Sequence, residues 1–172
     1  ATKQFGSNDV DIVNISGAYN GTGLWLDSRH DSSNGSVQYN RIHIGSIGST
    51  GTGASNLKIT SSGDGIVYGQ YGNTIEIDKN IASTNGYCVY VTGGNLYANR
   101  IKTTIYSING SGGLWSNSVD RSIFELLVIG ADPNEAFILT GIDATDNIII
   151  GTGLYKYGFV DNGTNTTIIA GG

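Results

Sequence analysis

Short runs of alternating apolar and polar residues recur along the chain, separated by corners rich in Gly, Ser, Thr and Asn. The clearest lies at residues 73–91, NTIEIDKNIASTNGYCVYV. Ile75 and Ile77 alternate there with Thr74, Glu76 and Asp78, the period-two signature of a strand with one buried face. A turn-forming Asn85-Gly86 pair then precedes a second strand at 87–91. Similar runs are predicted at 11–15, 24–26, 41–44, 57–59, 66–68, 96–102, 114–115, 123–129, 137–139, 148–150, 154–157 and 167–169, and no helical period is present.

These runs repeat. Second strands aligned on Leu24, Ile66, Tyr87, Leu114, Phe137 and Leu154 are spaced about 20 to 25 residues apart, the first gap being about double. First strands aligned on Ile12, Ile42, Ile59, Ile77, Ile101, Leu126, Ile149 and Ile168 give a mean of about 22 residues. Local words recur as well. Gly23-Leu24-Trp25, Gly65-Ile66-Val67, Gly113-Leu114-Trp115 and Gly153-Leu154-Tyr155 share one form, and Asn40, Asn73, Asn147 and Asn165 each precede an Ile- or Thr-rich strand. Such a period predicts an all-β fold, a single-stranded parallel β-helix (β-solenoid) of about seven to eight coils in which each coil buries its neighbour's apolar face. The general rule for parallel crossovers makes it right-handed. One such domain spans 1–172. The absence of methionine and the first residue, Ala1, read as a fragment of a longer chain.

Composition sharpens this picture. Twenty-seven glycines, one proline and a net charge of −5 describe a chain that turns often. The regular Ile, Val, Leu and Tyr clusters argue against disorder. No basic footprint exists for nucleic acid, and no apolar run is long enough for a transmembrane helix. The single cysteine, Cys88, cannot form an intrachain disulfide and reads as a small buried hydrophobe. Neither metal-ligand spacing nor a phosphate-binding glycine motif is present, so no metal or cofactor is expected.

Three groups of residues are candidate sites. Glu76 and Asp78 share an outward strand face roughly 7 Å apart, a separation that suits the acid and base of an inverting glycosidase. The alternative is a solvated face, where Lys58 on one side, Arg100 or Lys102 on the other and Glu125 beyond form surface ion pairs. In the second strands, inward Leu24, Ile66, Tyr87, Leu114, Phe137 and Leu154 would leave Trp25, Val67, Cys88, Trp115, Ile138 and Tyr155 pointing outward. That column is too apolar to be bare. A second protomer, a flanking part of the chain, or sugar rings stacked on Trp25, Trp115 and Tyr155 could cover it, while a one-residue register slip would invert it. Finally, the polar stretch 27–36 is expected to be a loop. Asp27, Arg29 and Asp31 on it could bind a ligand or simply be solvated.

The words NRIHI at 40–44, NTIEID at 73–78, NIII at 147–150 and the GLW and GLY words resemble the right-handed parallel β-helix group, and within it the tailspike and tail-fibre proteins of bacteriophages. The resemblance extends over nearly the whole chain. It implies a homotrimeric spike, on the virion tail or otherwise extracellular, that recognises and sometimes cleaves a bacterial surface polysaccharide. Arg100-Ile101-Lys102 reproduces one polygalacturonase word, but that branch's Asn-Thr-Asp, paired-Asp and Gly-His-Gly words are missing, as is the pectate-lyase calcium and arginine cluster. The competing readings are an endoglycosidase of the same fold, a bacterial β-solenoid adhesin, and a structural shaft that binds no ligand.

Overall fold

The structure is a computed structural model and describes residues 3–19, 21–28, 35–50, 55–61, 69–83, 87–108, 112–130, 138–141, 143–152 and 159–171. Among these the fold is all β, and every strand pair is parallel. The strands in chain order are β1 (Lys3–Gly6), β2 (Asp9–Tyr19), β3 (Thr22–Ser28), β4 (Gly35–Gln38), β5 (Arg41–Thr50), β6 (Ser55–Ser61), β7 (Gln70–Tyr71) and β8 (Thr74–Ser83). There follow β9 (Tyr87–Tyr97), β10 (Arg100–Ile108), β11 (Gly112–Asp120), β12 (Ile123–Gly130), β13 (Ile138–Thr140), β14 (Ile148–Thr152), β15 (Phe159–Asp161) and β16 (Thr167–Gly171).

The chain passes repeatedly between two sheets. β2, β5, β8, β10, β12, β14 and β16 line up in sequence order as a seven-stranded sheet, and the other strands form a nine-stranded one. The inward rows of the seven-stranded sheet are Val10, Ile42, Ile75, Ile101, Phe124, Ile149, Ile168 and, two residues on, Ile12, Ile44, Ile77, Thr103, Leu126. They face Leu24, Leu57, Val89, Leu114 and Leu26, Ile59, Val91 across one core. Each buried Ile or Leu contributes about 1.5 to 3 kcal/mol of transfer free energy, so stacked aliphatic rows supply most of the cohesion.

One corner recurs in every circuit. Ser7, Tyr39, Gly72, Ala98, Arg121, Asp146 and Asn165 all have φ between 49° and 67°, and each lies two residues before the first residue of the next strand of the seven-stranded sheet. A left-handed residue without a glycine's freedom costs about 1 kcal/mol or more. A buried amide ladder offsets that cost. The residues after the corner are Asn8, Asn40, Asn73, Asn99, Ser122 and Asn147. Each backbone N–H there donates to the next side-chain oxygen, at 3.2, 3.1, 3.2, 3.2 and 2.9 Å along the series. Successive ladder partners are separated by 32, 33, 26, 23 and 25 residues.

The circuits therefore shorten along the chain, which departs from the even period near 22 expected from sequence. In the early circuits the nine-stranded sheet is two strips, β3–β6 and β1–β4–β7. Both strips end on β9: residues 87–93 pair with β6, and Leu96 and Tyr97 pair with β7. Gly93 lets one strand serve both strips. Its φ is +126°, and a Cβ there would lie 1.9 Å from the Ser61 carbonyl oxygen.

The irregular circuits also explain three misplaced assignments. Ile59 belongs to the nine-stranded sheet rather than with Ile42 and Ile77. Lys58 does not flank Glu76, because its neighbours are Trp25 and Tyr90. Cys88, expected to point outward, is fully buried beside Val89, and Tyr87 is part-exposed, so strict alternation breaks at the start of β9. Ile66, Val67, Phe137, Leu154 and Tyr155 lie outside the described residues.

Candidate functional site

Two outward surfaces carry chemistry. On the nine-stranded sheet, the register places Trp25, Lys58, Tyr90, Trp115, Leu139 and Val160 in one row. Trp25 and Trp115 thus fall in one register row, with Lys58 and Tyr90 between them. Trp25 is 48% exposed, and the Lys58 ammonium sits 4.8 Å from its ring centroid and 5.7 Å from that of Tyr90. This is cation–π geometry, which holds the lysine stem between the two rings. Trp25 is also oriented from below. Its indole Nε1 donates to Thr60 Oγ1 at 2.7 Å, and Thr60 in turn donates to Asp27 Oδ1 at 2.5 Å.

Asp27 consequently sits on β3 and not in a loop, and its carboxylate anchors a chain of hydrogen bonds that fixes the tryptophan. Arg29 and Asp31, like Tyr155, lie outside the described residues. A second aromatic group was not anticipated. Tyr39, 61% exposed at its left-handed corner, meets Tyr71 edge-on at 5.6 Å, and Tyr71 stacks on Tyr97 at 5.5 Å. Burial holds the Tyr71 hydroxyl pKa above its ordinary value. The recurring Tyr two or one residues before the ladder position (Tyr39, Tyr71, Tyr97) was the available signal.

On the seven-stranded sheet the outward rows are Asp9, Arg41, Thr74, Arg100, Ile123, Ile148, Thr167 and Asp11, His43, Glu76, Lys102, Glu125, Ile150, Ile169. Glu76 faces outward as expected and accepts from Lys102 Nζ at 2.6 Å. That bond holds its carboxyl below the usual range and the ammonium above its own. Arg100 binds Glu125, with Nε at 2.8 Å and Nη2 at 2.5 Å from Oε1. Asp78 is engaged by His43, whose Nε2 lies 3.1 Å from Asp78 Oδ2 and whose Nδ1 lies 3.0 Å from Asp11 Oδ1. The hydrogen bond to Asp11, then that to Asp78, raises the imidazole pKa above 6.5.

For catalysis by Glu76 and Asp78 this has a direct consequence. A carboxylate kept ionised by Lys102 is disposed to accept a proton rather than donate one. Around these groups Asp9, Asp11, Arg41, His43, Thr74, Glu76, Arg100 and Lys102 line a surface concavity of about 660 Å³. Towards β16 the same face turns aliphatic. Leu127, Ile129, Ile148, Ile150 and Ile169 are between 36% and 53% exposed, a patch that the NIII run concealed because continuous apolar strands usually have both faces covered. Among the described residues no cluster of His, Cys, Asp and Glu could hold a metal ion, and no helix is long and apolar enough to cross a membrane. Compared with known protein families, with curated proteins and with solved structures, the chain matches none.

Proposed function

We propose that the chain is a segment of a single-stranded, right-handed parallel β-helix of the bacteriophage tailspike or tail-fibre type. In this reading it binds a bacterial surface polysaccharide during host attachment, on the virion tail or otherwise outside the cell. The observation that carries it is the row of Trp25, Lys58 and Tyr90 on adjacent strands, with Trp115 next to them in register. Aromatic faces held two strands apart, about 9.6 Å at the ~4.8 Å strand spacing, offer sugar rings a rigid, amphipathic track, and the lysine between them adds donors for hydroxyls. The Asp27–Thr60–Trp25 chain supports this reading, since a preorganised ring costs less to immobilise on binding.

The aliphatic patch of Leu127, Ile148, Ile150 and Ile169 supports assembly, because exposed apolar surface of this kind marks contact sites. A homotrimer joined through it is the assembly that the reading entails. Cleavage is the weaker reading, as Glu76 is paired with Lys102 and Asp78 is hydrogen-bonded to His43. Retention of bacterial surface polysaccharides by the protein, against Trp25→Ala, tests binding. New reducing ends would test cleavage, and sedimentation the oligomer.

A further inference from the structure

The concavity on the seven-stranded sheet has a charge arrangement that points to a second, chemically distinct site. Its cations are not equivalent. Lys102 is matched to Glu76 and Arg100 to Glu125, whereas Arg41, exposed on β5 next to β8, has no ion pair among the described residues. Arg41 and Arg100 lie in one outward row with only Thr74 between them, so two guanidinium groups flank a hydroxyl across three adjacent strands. Of the acids in the wall, two are held by other cations or by the imidazole. Asp11 is bound to His43 and Glu76 to Lys102, while Asp9, beside Arg41 on β2, makes no ion pair with it and lies on the side away from Thr74.

We infer that Arg41, Thr74 and Arg100 form a subsite for the carboxylate of an acidic sugar. A planar carboxylate matches the fork of an unpaired guanidinium and can accept from the threonine hydroxyl at the same time. The concavity of about 660 Å³ has room for rings on either side of that group. Arg41 is the specificity-determining residue, because its charge is the one that ligand binding would neutralise. The inference rests on the glycan-binding reading for the choice of a sugar as carrier of the acid, but it uses a different sheet from the aromatic row.

Isothermal titration with a galacturonic acid trimer, with maltotriose as the neutral control, tests it. The acidic trimer binds saturably and more weakly as salt is raised, and maltotriose does not displace it. Arg41→Gln weakens binding about tenfold or more, the loss expected for one charge-assisted pair. Arg41→Lys weakens it too by removing the fork. The inference is overturned if the acidic trimer does not bind, if its affinity is the same in Arg41→Gln, or if Trp25→Ala abolishes it. Neutral glycans held by the aromatic row in that event would leave the broader reading standing.

Discussion

Asn73 donates from Nδ2 to Asn99 Oδ1 at 3.0 Å, and from the same nitrogen to the Val37 carbonyl oxygen at 3.0 Å. Its own Oδ1 accepts from both the backbone N–H and Nδ2 of Asn40, at 3.1 and 3.0 Å. All four hydrogen-bonding capacities of one buried amide are therefore used, linking three successive circuits. Replacing it removes two donors and an acceptor, and with them the bonds to the Val37 carbonyl and from the Asn40 backbone N–H and Nδ2. Asn73→Leu is expected to cost about 2 to 4 kcal/mol. Urea denaturation checks this through a lowered midpoint with an unchanged slope.

Glycine is obligatory at one strand position and dispensable at another. A Cβ on Gly93 would lie 1.9 Å from Ser61 O at a φ of +126°, whereas one on Gly48 would come no closer than 3.6 Å to a neighbour. Gly93→Ala is expected to destabilise by about 3 kcal/mol or more through backbone strain and clash. Gly48→Ala should be neutral or slightly stabilising. Thermal unfolding of the pair gives the comparison directly.

Thr103 interrupts the inward row of Ile12, Ile44, Ile77 and Leu126, and its hydroxyl is buried without a hydrogen-bond partner. Valine keeps the shape and removes the unsatisfied group. Thr103→Val should raise stability by about 1 kcal/mol, read as a higher denaturation midpoint.

His43 ties β5 to β2 and β8 through Asp11 and Asp78, and its folded-state pKa lies above 6.5. A raised folded pKa means that the contribution is complete below the unfolded value and is lost as pH rises through the folded one. Stability should therefore fall across this window in the native protein more than in His43→Gln. Because the three groups are exposed, added salt should shrink the difference. Unfolding midpoints measured over pH and salt, with the His43 ring titrated by NMR, follow both effects.

Strand character and the inward faces of 41–44, 74–78 and 148–150 were legible in the sequence because the word Asn-x-Ile opens four strands of the seven-stranded sheet, at Asn40, Asn73, Asn99 and Asn147. Asn8, Asn40, Asn73, Asn99 and Asn147 all hold that ladder position, with Ser122 substituting once. Asn165, read as a member, instead takes the left-handed corner with φ 55°, and Thr166 follows it. The nine-stranded sheet was harder to read. Its circuits vary in length, and a glycine-aliphatic-large word does not mark one fixed position. Trp25 and Trp115 share one register row, while Lys58 and Tyr90 were missed because Leu57 and Val89 were not recognised as their inward neighbours. The clamp on His43 depends on contacts between residues 32 and 35 apart, which no local pattern encodes.

The most direct measurement is binding of the protein to an array of bacterial surface polysaccharides, made in parallel with Trp25→Ala and Tyr90→Ala. Both positions lie on an outward row, so the variants should keep the fold and its unfolding midpoint to within about 0.5 to 1 kcal/mol. The account predicts retention of at least one polysaccharide by the native protein, and loss of about tenfold or more in affinity in each variant, since a stacked aromatic is worth roughly 1 to 3 kcal/mol. Retention unaltered by both substitutions, or no polysaccharide retained at all, would contradict it.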